Sequence, residues 1–263
     1  MLCYEQTLGL HIMTGSLKKE LSKRASEILS ELGVTDCDVI FTDFSEIARD
    51  PIKKAQGYHP EFHAHCDPIG KVIEINTAML QKQNLFHWRN WDNIFAHEVG
   101  HIILNTPGII TRQSDDYVGL VLARYQFELY NMAQDLTIPL HILPEKYTDF
   151  DLSRITPWRR YSEVIDQVRD SDTRWGLQLG IVEKLPFYYG YGQYDSGEEG
   201  ARILREVNRI LIQEPVLRSI ALDTKRLVKP FTMGKDSRET DLQRLVDQGF
   251  EFLRLWIASQ GKW

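Results

Sequence analysis

Three features are scarce in this chain, and each scarcity removes a class of protein. Cysteine occurs only at Cys3, Cys37 and Cys66. An odd, widely spaced set makes neither a CxxC zinc knuckle nor a disulfide framework, so a reducing, cytoplasmic setting is expected. No apolar run reaches the ~18 residues that mark a membrane-spanning helix. The stretch Met1-Leu2-Cys3-Tyr4-Glu5-Gln6 lacks the basic-then-apolar layout of a secretory signal. Basic charge is not in excess either: 31 Lys and Arg stand against 37 Asp and Glu, a net charge of −6. That balance argues against a general nucleic-acid or anionic-membrane surface, and neither partner is expected.

What is present is an ordinary globular composition, 263 residues with 43% hydrophobic and 26% charged side chains, enough for one domain or two. Within it lies His97-Glu98-Val99-Gly100-His101. Two residues four apart on a helix share a face, one turn above the other. Two imidazoles so placed can bind one zinc ion, with the intervening Glu directed toward a water on it. With 8 His in the chain, composition alone would produce this pattern in about two chains per hundred. The surroundings therefore have to carry part of the case. Asn90 is a good N-cap, Asn105 a C-cap, and Thr106-Pro107-Gly108 a stop. Trp91, Phe95, Val99 and Ile102 form an apolar stripe, with His97 and His101 on the far side, so the helix reads as buried on both faces. Polar groups on a buried helix must be satisfied, and a metal does so at one stroke.

Ahead of that helix the spacing predicts a helix over 16–32 stopped by Gly33, with Leu17, Leu21, Ala25, Ile28, Leu29 and Leu32 inward and Lys18, Lys19, Lys23 and Arg24 in water. Residues 1–13 are ambiguous, with room for one short strand. A strand is expected over 37–42, two more over 61–66 and 71–76 around the turn Asp67-Pro68-Ile69-Gly70, then a short helix over 77–83. His59, His63, His65 and Cys66 are ligand types, but without a recognised ligand spacing they read as solvent-facing or substrate-facing groups rather than a second metal site.

A catalytic zinc needs three protein ligands and an open position. The segment 115–138, ended by Pro139, reads as a helix with the stripe Val118, Leu122, Tyr125, Leu129, Met132 and Leu136. Glu128 and Asp135 lie seven apart along the edge of that stripe, so either could be the third ligand and the other its support. Asn131, four residues before Asp135, could also support it. Beyond Pro139 the chain turns mostly helical, with candidate helices near 158–170, 174–184, 197–213 and 238–259 and Pro144, Pro157 and Pro186 between them. Residues 187–197 hold Tyr188, Tyr189, Tyr191 and Tyr194 among glycines. This segment reads as a loop, either packed on the surface or acting as a lid whose Tyr189 or Tyr191 donates to a developing oxyanion. His141 is a rival donor.

The HExxH helix, preceded by a hairpin and followed by an acidic helix, resembles the zincin metallopeptidases over roughly residues 35–140. Glu128, placed 27 residues beyond His101 and ahead of Asp135-Leu136-Thr137-Ile138-Pro139, is similar to the Glu ligand of the ImmA/IrrE-like peptidases. Asn131-Met132-Ala133-Gln134-Asp135-Leu136-Thr137-Ile138 resembles the Asn-x-Ala-x-Asp-x-x-Ile signature of predicted metallopeptidases associated with von Willebrand-like domains, which favours Asp135. The resemblance implies an α+β, zincin-like fold: a small mixed sheet and the active-site helix over 1–140, then a helical lobe over 141–263 packed on it. It also implies that the 61–76 hairpin borders the substrate. The expected function is peptide-bond hydrolysis, with Zn²⁺ on His97, His101 and one of the two acids, Glu98 as general base and a protein or peptide as substrate. A non-catalytic module retaining the scaffold, or a zinc amidohydrolase acting on a non-peptide amide, are the alternatives.

Overall fold

Alternation in Val72-Ile73-Glu74-Ile75-Asn76 builds the middle strand of a small sheet, with Ile73 and Ile75 fully buried. In the computed structural model, residues 15–47, 63–82, 88–105, 117–148, 168–194, 197–232 and 242–261 are described. The expected strand within 1–13 and most of the expected 158–170 helix lie outside them. Among the described residues the architecture is α+β, many helices with one three-stranded mixed sheet. By its internal contacts the chain divides into two compact units, Met1–Asn105 with Ile142–Asp149, and Thr106–His141 with Phe150–Trp263.

The first unit begins with helix α1, Gly15–Glu31. It ends as expected at Gly33, whose φ of +74° is the left-handed conformation that glycine adopts without strain. Leu21, Ala25 and Ile28 are buried, and Lys18, Lys19 and Lys23 are exposed. Arg24 departs from the solvated face expected for it. Its Nε and Nη2 donate to the two carboxylate oxygens of Asp92 at 2.8 and 2.5 Å. Strand β1, Asp38–Thr42, leads through the short helix α2, Phe44–Ile47, toward the hairpin of β2, Ala64–Asp67, and β3, Val72–Asn76. The order is β1-β3-β2, with β1 parallel and β2 antiparallel to β3. Asp67 closes the turn, its Oδ1 accepting from the amides of Ile69 and Gly70. Helix α3, Thr77–Lys82, follows directly, and the Thr77 hydroxyl donates to the Thr42 carbonyl at 3.0 Å.

Helix α4, Trp88–Leu104, carries the motif. It begins two residues before Asn90, which is therefore an internal position and not the expected cap. Trp91 stacks on Phe95 and Phe41, at 5.6 and 6.1 Å between ring centres. The C-terminus behaves as expected. Asn105 takes φ +40° and donates its amide to the His101 carbonyl at 3.0 Å. The anticipated stop at 106–108 lies outside the described residues. A short 3₁₀ turn, Glu145–Tyr147, is tied to α1 by the Tyr147 hydroxyl, which donates to Glu31 at 3.0 Å.

The second unit is helical. Helix α5, Tyr117–Thr137, runs on into a π-helical turn, Ile138–Ile142, so Pro139 sits inside that turn and does not end the helix. Helix α6, Ser171–Tyr194, passes through Pro186 and takes in residues 187–194 of the segment expected to be a tyrosine-glycine loop; 195–196 lie outside the described residues. Packing explains this. A Cβ on Gly190 would lie 2.4 Å from Met132 Cγ, and one on Gly192 2.9 Å from Leu204, so these glycines permit close helix approach rather than chain freedom. Helix α7, Glu198–Gln213, fits its expectation. Helix α8, Arg218–Thr232, is additional; its buried positions Ile220, Thr224, Leu227, Val228 and Phe231 keep helical spacing, but Thr224 breaks the apolar stripe and Pro230 lies inside. Helix α9, Leu242–Ser259, presses Gly249 onto Leu129, and α5 is packed by α6, α8 and α9 around Tyr125, Leu129 and Met132. The Thr224 hydroxyl donates to the Ile220 carbonyl, so the buried Tyr125 hydroxyl is the donor in its 2.6 Å bond to Thr224.

Candidate metal centre

The spacing of four on α4 brings the two motif imidazoles into contact, their centroids 4.9 Å apart and their planes perpendicular. His97, Glu98 and His101 are all half-buried, while Phe95, Ala96, Val99 and Gly100 between and beside them are buried. The polar side of this helix is thus only partly withdrawn from water, and Ile103 is exposed, where the sequence pattern implied burial on both faces. Strand β2 packs against α4. Burial, and after it the negative charge of Glu98, pushes the Cys66 thiol up, so Cys66 stays protonated near the Glu98 carboxylate. His65 pairs across the strands with Glu74, 3.7 Å from Nδ1 to Oε2.

The two acids of α5 have different partners. Glu128 accepts a short hydrogen bond from the Lys184 ammonium of α6. Burial raises its carboxyl above the ordinary 4.5, and Lys184 opposes that shift. Asp135, two turns along, accepts at Oδ2 from the Tyr191 hydroxyl, 3.0 Å away. Tyr191 is 5% exposed, and burial, then Asp135, holds its phenol well above its usual 10. Its hydroxyl is committed to a carboxylate, which differs from an oxyanion donor on an open lid. Burial likewise pushes the Tyr189 phenol up to about 12. Asn131 and His141 are half-buried, on α5 and on the π-helical turn after it.

His97, His101 and Asp135 form a group that could hold a metal ion: each offers one ligand atom, and these atoms all lie within 4.8 Å of one another. Two imidazole nitrogens and one carboxylate oxygen are a donor set that zinc takes, and three protein ligands leave a position open. Glu128 is not part of this group, and no second such group occurs among the described residues. The residues that sequence reasoning missed are Lys184 and the bond made by Tyr191. The only local signal for them is that Lys184 and Tyr191 repeat the seven-residue spacing of Glu128 and Asp135. No protein-family profile, curated protein or solved structure matches the chain.

Proposed function

We propose that the protein is a zincin-like, zinc-dependent metallopeptidase in which His97, His101 and Asp135 hold the ion and Glu98 is the general base. The observation that carries this reading is the convergence of those three ligand atoms beside the Glu of the HExxH helix. Zinc bound there supplies Lewis-acid polarisation of the scissile carbonyl and a water of lowered pKa. Glu98, next in sequence to His97 and half-buried with it, accepts the proton of the attacking water and returns it to the leaving nitrogen. Asp135 contributes the anionic ligand. Strand β2 lies at an edge of the sheet order, and an extended peptide adding to that edge would be held by backbone hydrogen bonds. The reading is of a cytoplasmic enzyme acting on a protein or peptide; among the described residues no helix is long and apolar enough to cross a membrane.

The test is metal analysis of purified wild type beside His97→Ala, Asp135→Ala and Glu128→Ala, followed by a screen of peptide and non-peptide amides with wild type and Glu98→Gln. One zinc per chain is expected in wild type and Glu128→Ala, and loss of it in the other two. Glu98→Gln should keep zinc and lose hydrolysis. Stoichiometric zinc in His97→Ala, or undiminished cleavage by Glu98→Gln, overturns the reading.

A further inference from the structure

Helices α5 and α6 are joined by two polar bridges with the same offset. Lys184 meets Glu128 and Tyr191 meets Asp135, each pair 56 residues apart in sequence. Equal offsets mean that the two helices run in the same direction here. Seven residues make two turns, about 10.5 Å of rise, so the bridges bracket one stretch of the contact and fix both its axial register and its rotation. Between them Gly190 brings the α6 backbone against Met132, with Met132 itself only 1% exposed. Tyr191 therefore has little room to move, and its hydroxyl reaches one particular oxygen of Asp135.

An aspartate on a helix can present either carboxylate oxygen by rotation about χ2, a broad and roughly two-fold torsion. A donor on Oδ2 restricts that rotation and fixes how the carboxylate is turned. We infer that Tyr191 is a positioning residue for metal binding: by donating to Oδ2 it sets the carboxylate orientation in which Asp135 meets a divalent cation. This rests on the proposed function for the identity of the site but makes its own demand on Tyr191. Lys184 has the complementary part, since it engages the neighbouring carboxylate of Glu128 at the same helix contact.

The experiment is a chelator-competition titration of zinc with wild type, Tyr191→Phe and Tyr188→Phe, with the visible spectrum of the cobalt-substituted proteins recorded alongside. Tyr191→Phe removes one oxygen and keeps the buried ring, and a thermal melt checks that it folds. Loss of a hydrogen-bonding partner behind a metal ligand costs about ten- to a hundredfold in affinity. That loss is expected for Tyr191→Phe with an altered cobalt spectrum, whereas Tyr188→Phe, on the same helix and also buried, should match wild type. Wild-type affinity and spectrum in Tyr191→Phe overturn the inference while leaving the zinc site standing. Equal weakening in Tyr188→Phe also overturns it, because the cause would then be helix packing. Failure of wild type to bind zinc overturns both the inference and the function it rests on.

Discussion

Lys184 holds the carboxylate of Glu128, while Asp135, seven residues along the same helix, accepts from the Tyr191 phenol. A carboxylate that carries an ammonium has its charge already compensated. Lys184→Met should therefore leave zinc content at the wild-type level. Its cost falls on stability. The Lys184 side chain is 42% exposed, so screening limits the pair and a coupling with Glu128→Gln of less than about 1 kcal/mol is expected. A double-mutant cycle by urea denaturation, with zinc analysis of each variant, measures both.

Gly190→Ala tests the close approach of α5 and α6. The added methyl would sit 2.4 Å from Met132 Cγ and 2.8 Å from its sulfur, in a fully packed region. Overpacking of this kind costs about 1–3 kcal/mol. Met132→Ala in the same chain makes room for the methyl, so the double variant should be less destabilised than the sum of the two single changes. Full additivity in denaturant midpoints would show that the two residues do not share this space.

How much of this was legible beforehand depends on the range of the cause. The motif helix, the hairpin and its Asp67 turn follow from local periodicity and local hydrogen bonds, and they stand where the spacing put them. Asn90 misled because a good capping residue can also lie inside a helix. Gly190 and Gly192 misled more, since glycine next to tyrosine looks like a loop unless Met132 and Leu204 are known to press against it. Pro186 pointed the same wrong way; its buried ring stays in the helix because packing offsets the lost hydrogen bond. For Glu128 and Asp135 a period of seven gives one direction to both, so no local pattern separates them. Their partners, 56 residues away on a helix, do.

Arg24 and Asp92 tie α1 to α4 through a bidentate pair, with Asp92 only 8% exposed. Arg24→Met would leave that carboxylate nearly buried and without its fork of donors. Because the Arg24 side chain is 41% exposed, water takes over part of the lost interaction, and about 1–2 kcal/mol of destabilisation is expected. Arg24→Lys should recover only part of this, since an ammonium cannot reproduce the two parallel bonds. Chemical denaturation of the three proteins decides it; a loss no larger than that of a substitution at exposed Lys23 would show the pair to be structurally idle.

Asp170 gives the second unit a pH dependence whose sign can be worked out. Its backbone carbonyl accepts from Arg174 and its carboxylate from the Thr173 amide at 2.7 Å, which makes it the N-cap of α6. The Thr173 hydrogen bonds hold its carboxyl below the ordinary 3.8. A carboxyl whose folded pKa is depressed binds its proton more weakly in the native state than in the unfolded chain. Its contribution to stability is complete above 3.8 and is lost as the pH falls through the lower folded value. Wild type should therefore exceed Asp170→Ala in stability at neutral pH, and that advantage should shrink on acidification below the ordinary carboxylate range. Asp170→Asn, which caps without a charge, should lie between the two at neutral pH and show no such shrinkage relative to Asp170→Ala. Denaturant midpoints of the three proteins across this range provide the check, and a gap between wild type and Asp170→Ala that stays constant with pH would remove the carboxylate from the account.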